Sequence, residues 1–410
     1  MTTTRSSSSQ FTRRGFIATA ATAAGVLAVP ALAAAQAAPP SHKIKLGVVG
    51  CGGRGAWIAG LFKRHGGYDM HAVADYFQPV ADAAGDALGV HASRRFSGLS
   101  GYRRLIESGI EAVALETPPY FFPEHVKAAV DAGLHVYMAK PIAVDVPGCL
   151  QVDAAAKKAT ANKKCFLVDY QMPTDPHVIE AAKRFREGAL GNLGMVKSFY
   201  YGGLFGDPPF TENLESRLRS LIWCNDVAMG GGYHVNACIH PVQAMMWVLG
   251  KTPIAAAGMS RRARPQPHGD SHDMFGITFE FDDGLIWTHT GRHSRGLTGP
   301  DDPLATCELL GDAYMKIGYG GRALIRGGPK QYAGGTIDNL YEAGAVRNIA
   351  TFHKNVTDNN YTNDTVHLAI DSCLATMMAR EACLKKTRLT MQDLLKENRR
   401  LEVNLRGLKA

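Results

Sequence analysis

Residues 47–55 read Gly47-Val48-Val49-Gly50-Cys51-Gly52-Gly53-Arg54-Gly55, and this stretch predicts the fold of the chain. An apolar run leads into it and a run of apolar and small residues follows, which predicts a strand, a tight turn and a helix. Gly50, Gly52 and Gly55 have the G-x-G-x-x-G spacing of a dinucleotide-binding turn. In such a turn the backbone approaches a pyrophosphate, and the N–H groups that begin the helix face the phosphates.

A carboxylate follows at the spacing that this turn requires. The second predicted strand ends at Asp75, 23 residues after Gly52, and the usual spacing is about 20. Asp75 would accept hydrogen bonds from the adenosine ribose, and no arginine follows at positions 76–78 to hold a 2′-phosphate. The pattern therefore favours NAD over NADP as the cofactor, with Gly53 and Arg54 of the turn also in contact with it.

The composition is that of a globular protein with room for about two domains. The chain has 410 residues, of which 46% are hydrophobic, and a formal net charge of +8. Three of the positive charges and no acids lie in residues 1–37, so the remainder is only mildly basic. No dense run of Lys and Arg is interleaved with aromatic residues, and the sequence therefore indicates no nucleic-acid partner.

Residues 1–37 have the features of an export signal rather than of a folded domain. Thr12-Arg13-Arg14-Gly15-Phe16-Ile17 is a twin-arginine motif, followed by an uncharged, Ala-rich stretch with A-x-A cleavage motifs at 31–33 and 35–37. We therefore expect the twin-arginine export machinery as a partner and a periplasmic or otherwise exported location. An uncleaved membrane anchor is the alternative, although an Ala-rich stretch makes a poor permanent span.

The cysteines predict neither a metal site nor a disulfide framework. Eight are present, none in a C-x-x-C motif or at another metal-ligand spacing. Most fall inside apolar runs, which is typical of small core residues.

Strand and helix patterns alternate over residues 43–168, which predicts an NAD-binding domain with a doubly wound parallel sheet of the Rossmann type, in the α/β class. Thr117-Pro118 and Lys140-Pro141 follow two of the predicted strands. Ligands of such sheets bind at the carboxyl ends of the strands. We therefore expect these residues to share one site with Asp75 and the glycine turn.

The pattern changes to strand-like segments over residues 169–365, with a hairpin turn at 282–284. This predicts a second α/β domain with an open, largely antiparallel sheet, which we expect to bind substrate and to form a homo-oligomer. Within it a predicted helix follows Gly230-Gly231-Gly232 and ends near Leu249. Residues 366–410 are predicted to form a C-terminal helical segment.

These motifs make the chain similar to the Gfo/Idh/MocA oxidoreductases, a family named for glucose–fructose oxidoreductase and inositol dehydrogenase. The resemblance covers nearly all of residues 43–400. It rests on the glycine turn, Thr117-Pro118 with His125, residues 133–136 leading to Lys140-Pro141, residues 183–191 and residues 230–250. It implies a nicotinamide cofactor, contacted also by Thr117, Pro118, His125 and Lys140, and a sugar or cyclitol substrate.

The chain departs from the family's usual motifs at two places. The usual Glu-Lys-Pro is Ala139-Lys140-Pro141, which keeps the lysine and loses the acid. The usual helix pattern of Asp, His and often a second Asp is represented by Asn236, His240 and Gln243. The histidine is kept, and both acids are amides.

Four residues form the candidate catalytic set. His240 is the candidate base, because an imidazole with a pKa near 6.5 can accept a proton at neutral pH. Asn236 and Tyr233 precede it on the same helix face, and an amide at 236 would orient the ring without adding charge. The Lys140 ammonium would stabilise a developing alkoxide. A core histidine and a solvated surface lysine are the structural alternatives.

Further polar residues in the second domain are weaker candidates, since most such side chains in hairpins and loops are hydrated. They are His234, His272, Asp273, His289, Arg292 and His293.

The expected location restricts the function, because no exchangeable NAD pool exists outside the cytoplasm. We expect an NAD(P)-dependent oxidoreductase that acts on a sugar, glycoside or cyclitol hydroxyl and holds a cofactor that is restored within each turnover. Three alternatives stay open: an NAD-dependent glycoside hydrolase working by oxidation, elimination, hydration and reduction; a net dehydrogenase that passes electrons to a periplasmic carrier; and a non-catalytic sugar-binding module.

Overall fold

The structure of the chain is a computed structural model. It describes residues 43–203, 205, 214–219, 221–264, 269–293 and 304–410. The predicted export segment, residues 1–37, lies outside the described residues. Within the described ranges no helix is both long and apolar enough to cross a membrane. All eight cysteines are buried free thiols.

The first sheet has six strands, all parallel, in the order β3-β2-β1-β4-β5-β6. Its strands are β1 (Ile44–Val49), β2 (Tyr68–Asp75), β3 (Arg95–Ser97), β4 (Ala112–Leu115), β5 (His135–Ala139) and β6 (Phe166–Asp169). The helices between them are α1 (Gly53–His65), α2 (Gln78–Leu88), α3 (Gly101–Ile106), α4 (Phe122–Asp131) and α5 (Val146–Ala161). The predicted Rossmann fold is confirmed. The strand order reverses between β1 and β4, where such sheets bind their ligands.

The second sheet has nine strands in the order β14-β13-β12-β11-β7-β10-β9-β8-β15. Its strands are β7 (Met195–Gly202), β8 (Ala255–Arg261), β9 (Met274–Glu280), β10 (Ile286–His293), β11 (Ala305–Leu310), β12 (Tyr314–Tyr319), β13 (Leu324–Arg326), β14 (Tyr332–Ala333) and β15 (Leu389–Thr390). Neighbouring strands are antiparallel except β7 and β10, which pair in parallel. The predicted open, largely antiparallel sheet is thus confirmed.

The helices of the second half are α6 (Pro176–Arg186), α7 (Val227–Gly230), α8 (Ile239–Leu249), α9 (Leu340–Thr357), α10 (Thr365–Lys385) and α11 (Met391–Glu397). A π-helical turn, His234–Cys238, directly precedes α8. Turns of this kind, in which each N–H bonds a carbonyl five residues back, are often found at functional sites.

Two elements pack against a part of the chain other than the segment to which the predicted boundaries, at residues 169, 365 and 366, assign them. Helix α9 places Ala345, Ile349 and Phe352 in the same core cluster as the strands of the first sheet, so it packs on the Rossmann half. Strand β15 lies in the predicted helical tail, yet it pairs with β8 of the second sheet. A two-residue strand is too short to produce a sequence pattern, and the apolar face of α9 does not reveal which sheet it covers.

The glycine turn is closed by a contact that only glycine allows. A Cβ atom on Gly55 would lie 1.8 Å from the Gly50 carbonyl oxygen, whereas a Cβ atom on Gly60, also in α1, would meet no atom within 4 Å. Gly50 itself has a φ of +88°, in the left-handed region. Helix α1 therefore begins directly on the turn.

Replacing Gly55 with Ala should destabilise the fold, because the helix must move off the turn to relieve the overlap. We expect the free energy of unfolding to fall by about 1–3 kcal/mol or more. The matched change Gly60→Ala should raise it by about 0.5–1 kcal/mol, since Ala has the higher helix propensity. Urea unfolding followed by circular dichroism measures both, and equal effects would contradict the close contact at Gly55.

Candidate active site

A cleft of about 620 Å³ lies at the carboxyl ends of the parallel strands. Residues from both sheets line it, and most of the predicted site residues are among them. Those residues are Gly50, Gly52, Gly53, Arg54, Asp75, Thr117, Pro118, His125, Lys140, Asn236 and His240. Gly55 packs beneath the turn, and Tyr233 does not line the cleft.

The turn leaves space for a phosphate group beside its second glycine. A Cβ atom on Gly52 would meet no atom within 4 Å, and Gly52 and Gly53 are both exposed at the start of α1. Asp75 ties the turn to β2, because its carboxylate accepts hydrogen bonds from the backbone N–H groups of Cys51 at 2.8 Å and Phe77 at 3.0 Å. Burial raises the pKa of Asp75, and these N–H groups oppose the rise. The remaining lone pairs of the carboxylate can accept ribose hydroxyls.

A segment from the second half of the chain covers the nucleotide end of the cleft. Its lining residues are Leu218, Arg219, Leu221 and Trp223. The Arg219 guanidinium lies 4.0 Å from the centre of the Phe77 ring, and its charge acts on Asp75. Sequence reasoning looked for an arginine only at positions 76–78 and missed this one, because it reaches the site from another part of the fold.

Thr117 and Pro118 follow β4, and His125 lies on the next helix, α4. The Thr117 hydroxyl and His125 Nδ1 are 3.3 Å apart. Burial lowers the pKa of His125 to about 4, so this imidazole is neutral. The three residues form a neutral wall of the cleft next to the glycine turn.

Arg54 occupies the floor of the cleft. Its guanidinium forms ion pairs with Glu116, at 3.0 Å, and with Asp169, and it donates a hydrogen bond to the Tyr341 hydroxyl. Its charge also lies 5.3 Å from the Trp57 ring. Arg54 lines the cleft with its guanidinium paired to two carboxylates, and its contact with the cofactor stays a prediction.

Lys140 adds a second cation to this buried cluster. Its ammonium donates a hydrogen bond to the Asn236 carbonyl at 2.7 Å. Pro241 has no N–H with which to bond a carbonyl of the preceding turn, so that turn keeps a carbonyl group free to accept a hydrogen bond from another side chain. Burial, and then the Arg54 charge, lower the pKa of Lys140 to about 8. Burial raises the pKa of Glu116 to about 7.

A chain of hydrogen bonds determines which nitrogen of His240 carries the proton. Gln171 Nε2 donates to the Asp169 carbonyl at 3.2 Å, which turns Gln171 Oε1 towards the Tyr319 hydroxyl at 3.1 Å. An amide oxygen only accepts, so Tyr319 donates its one hydrogen to Gln171. The Tyr319 oxygen must then accept from His240 Nδ1, 3.1 Å away. The proton of the neutral ring is on Nδ1, and Nε2 keeps its lone pair.

The surroundings of His240 also keep its ring neutral. Burial lowers its pKa well below 6.5, and the charges of Lys140 and Arg54 lower it further. The ring stacks on Tyr200, with centroids 5.9 Å apart.

The other two residues of the predicted catalytic set have different surroundings. The Asn236 side chain lines the cleft and accepts a hydrogen bond from Cys224 Sγ at 3.3 Å. The Tyr233 hydroxyl bonds the backbone of β7 and β10, at 2.6 Å for the Arg292 carbonyl. Tyr233 therefore holds two strands of the second sheet to the turn, and its assignment as a catalytic residue is corrected to a structural one.

Two family models match the chain on either side of residue 170. The model described as "Oxidoreductase family, NAD-binding Rossmann fold" matches residues 44–169, and the Gfo/Idh/MocA C-terminal domain model matches residues 178–311. Together they cover more than half of the chain. The chain belongs to the Gfo/Idh/MocA oxidoreductase family.

Curated members of the family resemble the chain over part of their length. The 2,7-anhydro-N-acetylneuraminate hydratase of Escherichia coli is 26% identical over 250 residues, which are 60% of this chain and 60% of that protein. An inositol 2-dehydrogenase of Rhizobium meliloti is 23% identical over 57% of this chain and 64% of its own length. The matched region thus spans about three-fifths of these relatives.

Solved structures of family members share the fold over most of the chain. The aldose-aldose oxidoreductase of Caulobacter crescentus superposes with a TM-score of 0.68 at 19% identity, covering 85% of this chain and all of that one. The scyllo-inositol dehydrogenase of Lactobacillus casei with bound NAD(H) and scyllo-inositol has a TM-score of 0.66 at 15% identity, covering 85% and 99%.

The structure supplies the acid that this family member lacks at position 139. Ala139 pairs with Asp169 in the register of β5 and β6. On the other side Leu115 pairs with Met138, so Glu116 is the next residue along β4. Carboxylates thus lie at both neighbouring strand ends, and sequence reasoning missed them because they lie outside the Glu-Lys-Pro motif.

Tyr319→Phe should slow catalysis while leaving the bound cofactor in place, because Nδ1 of His240 loses its acceptor. A hydrogen bond to a group that becomes charged is worth about 1.5–3 kcal/mol, so we expect a loss of about 10- to 100-fold in the rate of cofactor reduction. Tyr314→Phe is the control, since Tyr314 lies on the same strand and its hydroxyl bonds Glu308. Equal rates in the two variants, measured by rapid-scan absorbance, would contradict the hydrogen-bond chain.

Proposed function

We propose that this chain is an NAD-dependent oxidoreductase that acts on a hydroxyl of a sugar, glycoside or cyclitol and retains its cofactor between turnovers. One observation carries the proposal: His240, with an accepting nitrogen, and Lys140 line the same cleft as the dinucleotide turn and Asp75. The printed names of the relatives, an inositol dehydrogenase and an aldose-aldose oxidoreductase, support this class of substrate.

The residues of the cleft have separate tasks in this reaction. NAD, when bound, supplies the acceptor for the hydride that leaves the substrate carbon. Nε2 of His240 accepts the hydroxyl proton, and the Tyr319 oxygen stabilises the charge that the ring then carries. The Lys140 ammonium, held by the Asn236 carbonyl, stabilises the negative charge that develops on the substrate oxygen.

Retention of the cofactor is supported by the cover over the nucleotide end. Leu218, Arg219, Leu221 and Trp223 line the cleft together with the glycine turn, and Arg219 lies on the Phe77 ring next to Asp75. These side chains would add contacts to a bound dinucleotide and slow its release. Tight retention suits an enzyme that meets no exchangeable NAD.

Glycoside cleavage by oxidation, elimination, hydration and reduction is the second candidate. Glu116 favours it, because this carboxyl lines the cleft with a pKa raised by burial to about 7 and can both donate and accept a proton. The name of the Escherichia coli relative, a hydratase, also fits a route that includes addition of water. Such a reaction would release the aglycone with no net change in bound NAD.

The function can be tested on the purified protein with its own cofactor. We expect acid denaturation to release about one NAD(H) per chain, and a panel of sugars, cyclitols and glycosides to identify a compound that reduces the bound NAD. Lys140→Met and His240→Ala should each slow this reduction by about 10²–10⁴-fold, with the NAD content unchanged. Lys157→Met, on an exposed part of α5, is the control.

The outcomes separate the candidate functions. Solvent deuterium entering the carbon next to the oxidised one, together with aglycone release, would identify the glycosidase. Reduction of bound NAD at the original rate in both variants would contradict the assigned roles. Absence of any reaction with the whole panel, in protein that holds NAD, would favour a sugar-binding module.

We also propose that the chain is exported folded by the twin-arginine route and acts in the periplasm. The motif at residues 12–17 and the two cleavage motifs support this. Assembly into a homo-oligomer likewise stays a prediction.

Changing both arginines of the motif, Arg13→Lys with Arg14→Lys, should keep the protein in the cytoplasm, because the export machinery reads the arginine pair. Cell fractionation followed by immunoblotting measures the distribution. The unmodified chain is the control, and its mature form should begin near residues 34–38. Unchanged export of the double variant would refute the assignment.

A further inference from the structure

A second cluster of chemically reactive side chains lies behind the catalytic helix, outside the cleft lining. It consists of His234 and Cys238 of the π-helical turn and His289 of β10. Their ligand atoms all lie within 4.8 Å of one another. The sequence makes His234 and His289 weaker candidates, because most such side chains are hydrated, yet they are 0% and 1% exposed.

Three of the four ring nitrogens of this cluster have no hydrogen-bond partner among the described residues. Neither Nδ1 nor Nε2 of His234 makes a hydrogen bond there, and Nε2 of His289 makes none. A buried polar atom without a partner costs about 1–3 kcal/mol. One nitrogen of His234, one nitrogen of His289 and the Cys238 sulfur lie within 4.8 Å of one another, which indicates that a further group completes the cluster.

The set of donors matches a metal ion of the zinc type. Two imidazoles and a thiolate are common zinc ligands, and a tetrahedral ion with bonds of about 2.0–2.3 Å holds them roughly 3.3–3.8 Å apart. Small side-chain rotations bring atoms separated by at most 4.8 Å to that spacing. His234 and Cys238 are four residues apart on one helical face, and this spacing, with a histidine far along the chain, is not a recognisable sequence motif.

The residues around the cluster orient His289 as a ligand would need. Its Nδ1 lies 2.8 Å from Ser198 Oγ, which also accepts a hydrogen bond from Trp287 Nε1 at 2.8 Å. When Nδ1–H donates to Ser198, the lone pair of Nε2 faces the cluster, as for zinc-bound histidines held by a second hydrogen bond. Gly291 provides room for the sulfur, because a Cβ atom there would lie 2.7 Å from Cys238 Sγ.

The charges near the cluster are compatible with a cation. The Arg380 charge acts on His234, but Arg380 forms an ion pair with Glu381 at 2.9 Å, so the pair is neutral. A Cys238 thiolate would reduce the charge of a divalent ion to +1.

We propose that His234, Cys238 and His289 bind one zinc ion, with a water molecule as the fourth ligand. The ion braces the π-helical turn from behind. This turn presents the Asn236 carbonyl to Lys140 on its other side and leads into α8, which carries His240. The site is structural, and it is independent of the substrate proposed above.

Metal analysis of the full chain tests the site. Protein expressed with added zinc and purified without chelator should contain about one zinc per chain. His234→Ala, Cys238→Ser and His289→Ala should each lose at least about 90% of it. Cys307→Ser and His272→Ala should keep it, because Cys307 is a buried thiol on β11 and His272 bonds Ser260.

Cobalt(II) provides a readout that does not depend on activity. Protein expressed with cobalt should show visible bands of a tetrahedral ion and a near-ultraviolet thiolate charge-transfer band. The charge-transfer band should be absent in Cys238→Ser and present in Cys307→Ser.

A measurement on the unmodified protein covers the case in which the variants fail to fold. A strong chelator should lower its melting temperature, and zinc should restore it. The proposal is overturned if the folded, unmodified protein holds no stoichiometric metal and neither chelator nor zinc changes its melting temperature.

Discussion

The arrangement of this molecule depends on how one buried guanidinium is neutralised. Arg54 follows the glycine turn, and its partners are Glu116 and Asp169, at the ends of β4 and β6, and Tyr341 of α9. An uncompensated buried charge costs several kcal/mol, so these elements hold their positions together. The glycine turn and the floor of the cleft are therefore parts of the same charge network.

This network also changes the pKa of Lys140. Two carboxylates and two cations share a site from which water is largely excluded, and the cost of burial acts on each of them. The pKa of Lys140 falls to about 8 while that of Glu116 rises to about 7. Lys140 and Glu116 therefore both gain or lose a proton close to neutral pH. A small change in the charge next to them can then change their protonation.

The second half of the chain contributes a histidine whose proton position is set from a distance. Gln171 follows β6 of the first sheet and Tyr319 ends β12 of the second, so His240 is oriented by groups from both sheets. The amides at 236 and 243 add no charge next to the ring. The hydrogen-bond partner of His240 Nδ1 is the neutral hydroxyl of Tyr319, which likewise adds no charge next to the ring.

The sequence by itself determined the Rossmann half and the position of the glycine turn, and it placed Asp75 and Lys140 at strand ends beside that turn. These follow from local patterns, because glycine spacing and strand ends place residues at one edge of a parallel sheet whatever the rest of the chain does. The strand-like segments of the sequence also predict the second sheet. They do not predict β15 or the packing of α9 on the first sheet.

Only the tertiary structure decided how the side chains are used. Tyr319 and Gln171 are 148 residues apart in the chain, and Arg54 and Tyr341 are 287 apart. Tyr233 shares a helical face with Asn236, yet its hydroxyl bonds the backbone of two strands. Arg54 lies in the cofactor motif, yet its side chain pairs with carboxylates. Contacts of this kind depend on which surfaces meet when two sheets pack, and no local pattern in the sequence carries that information.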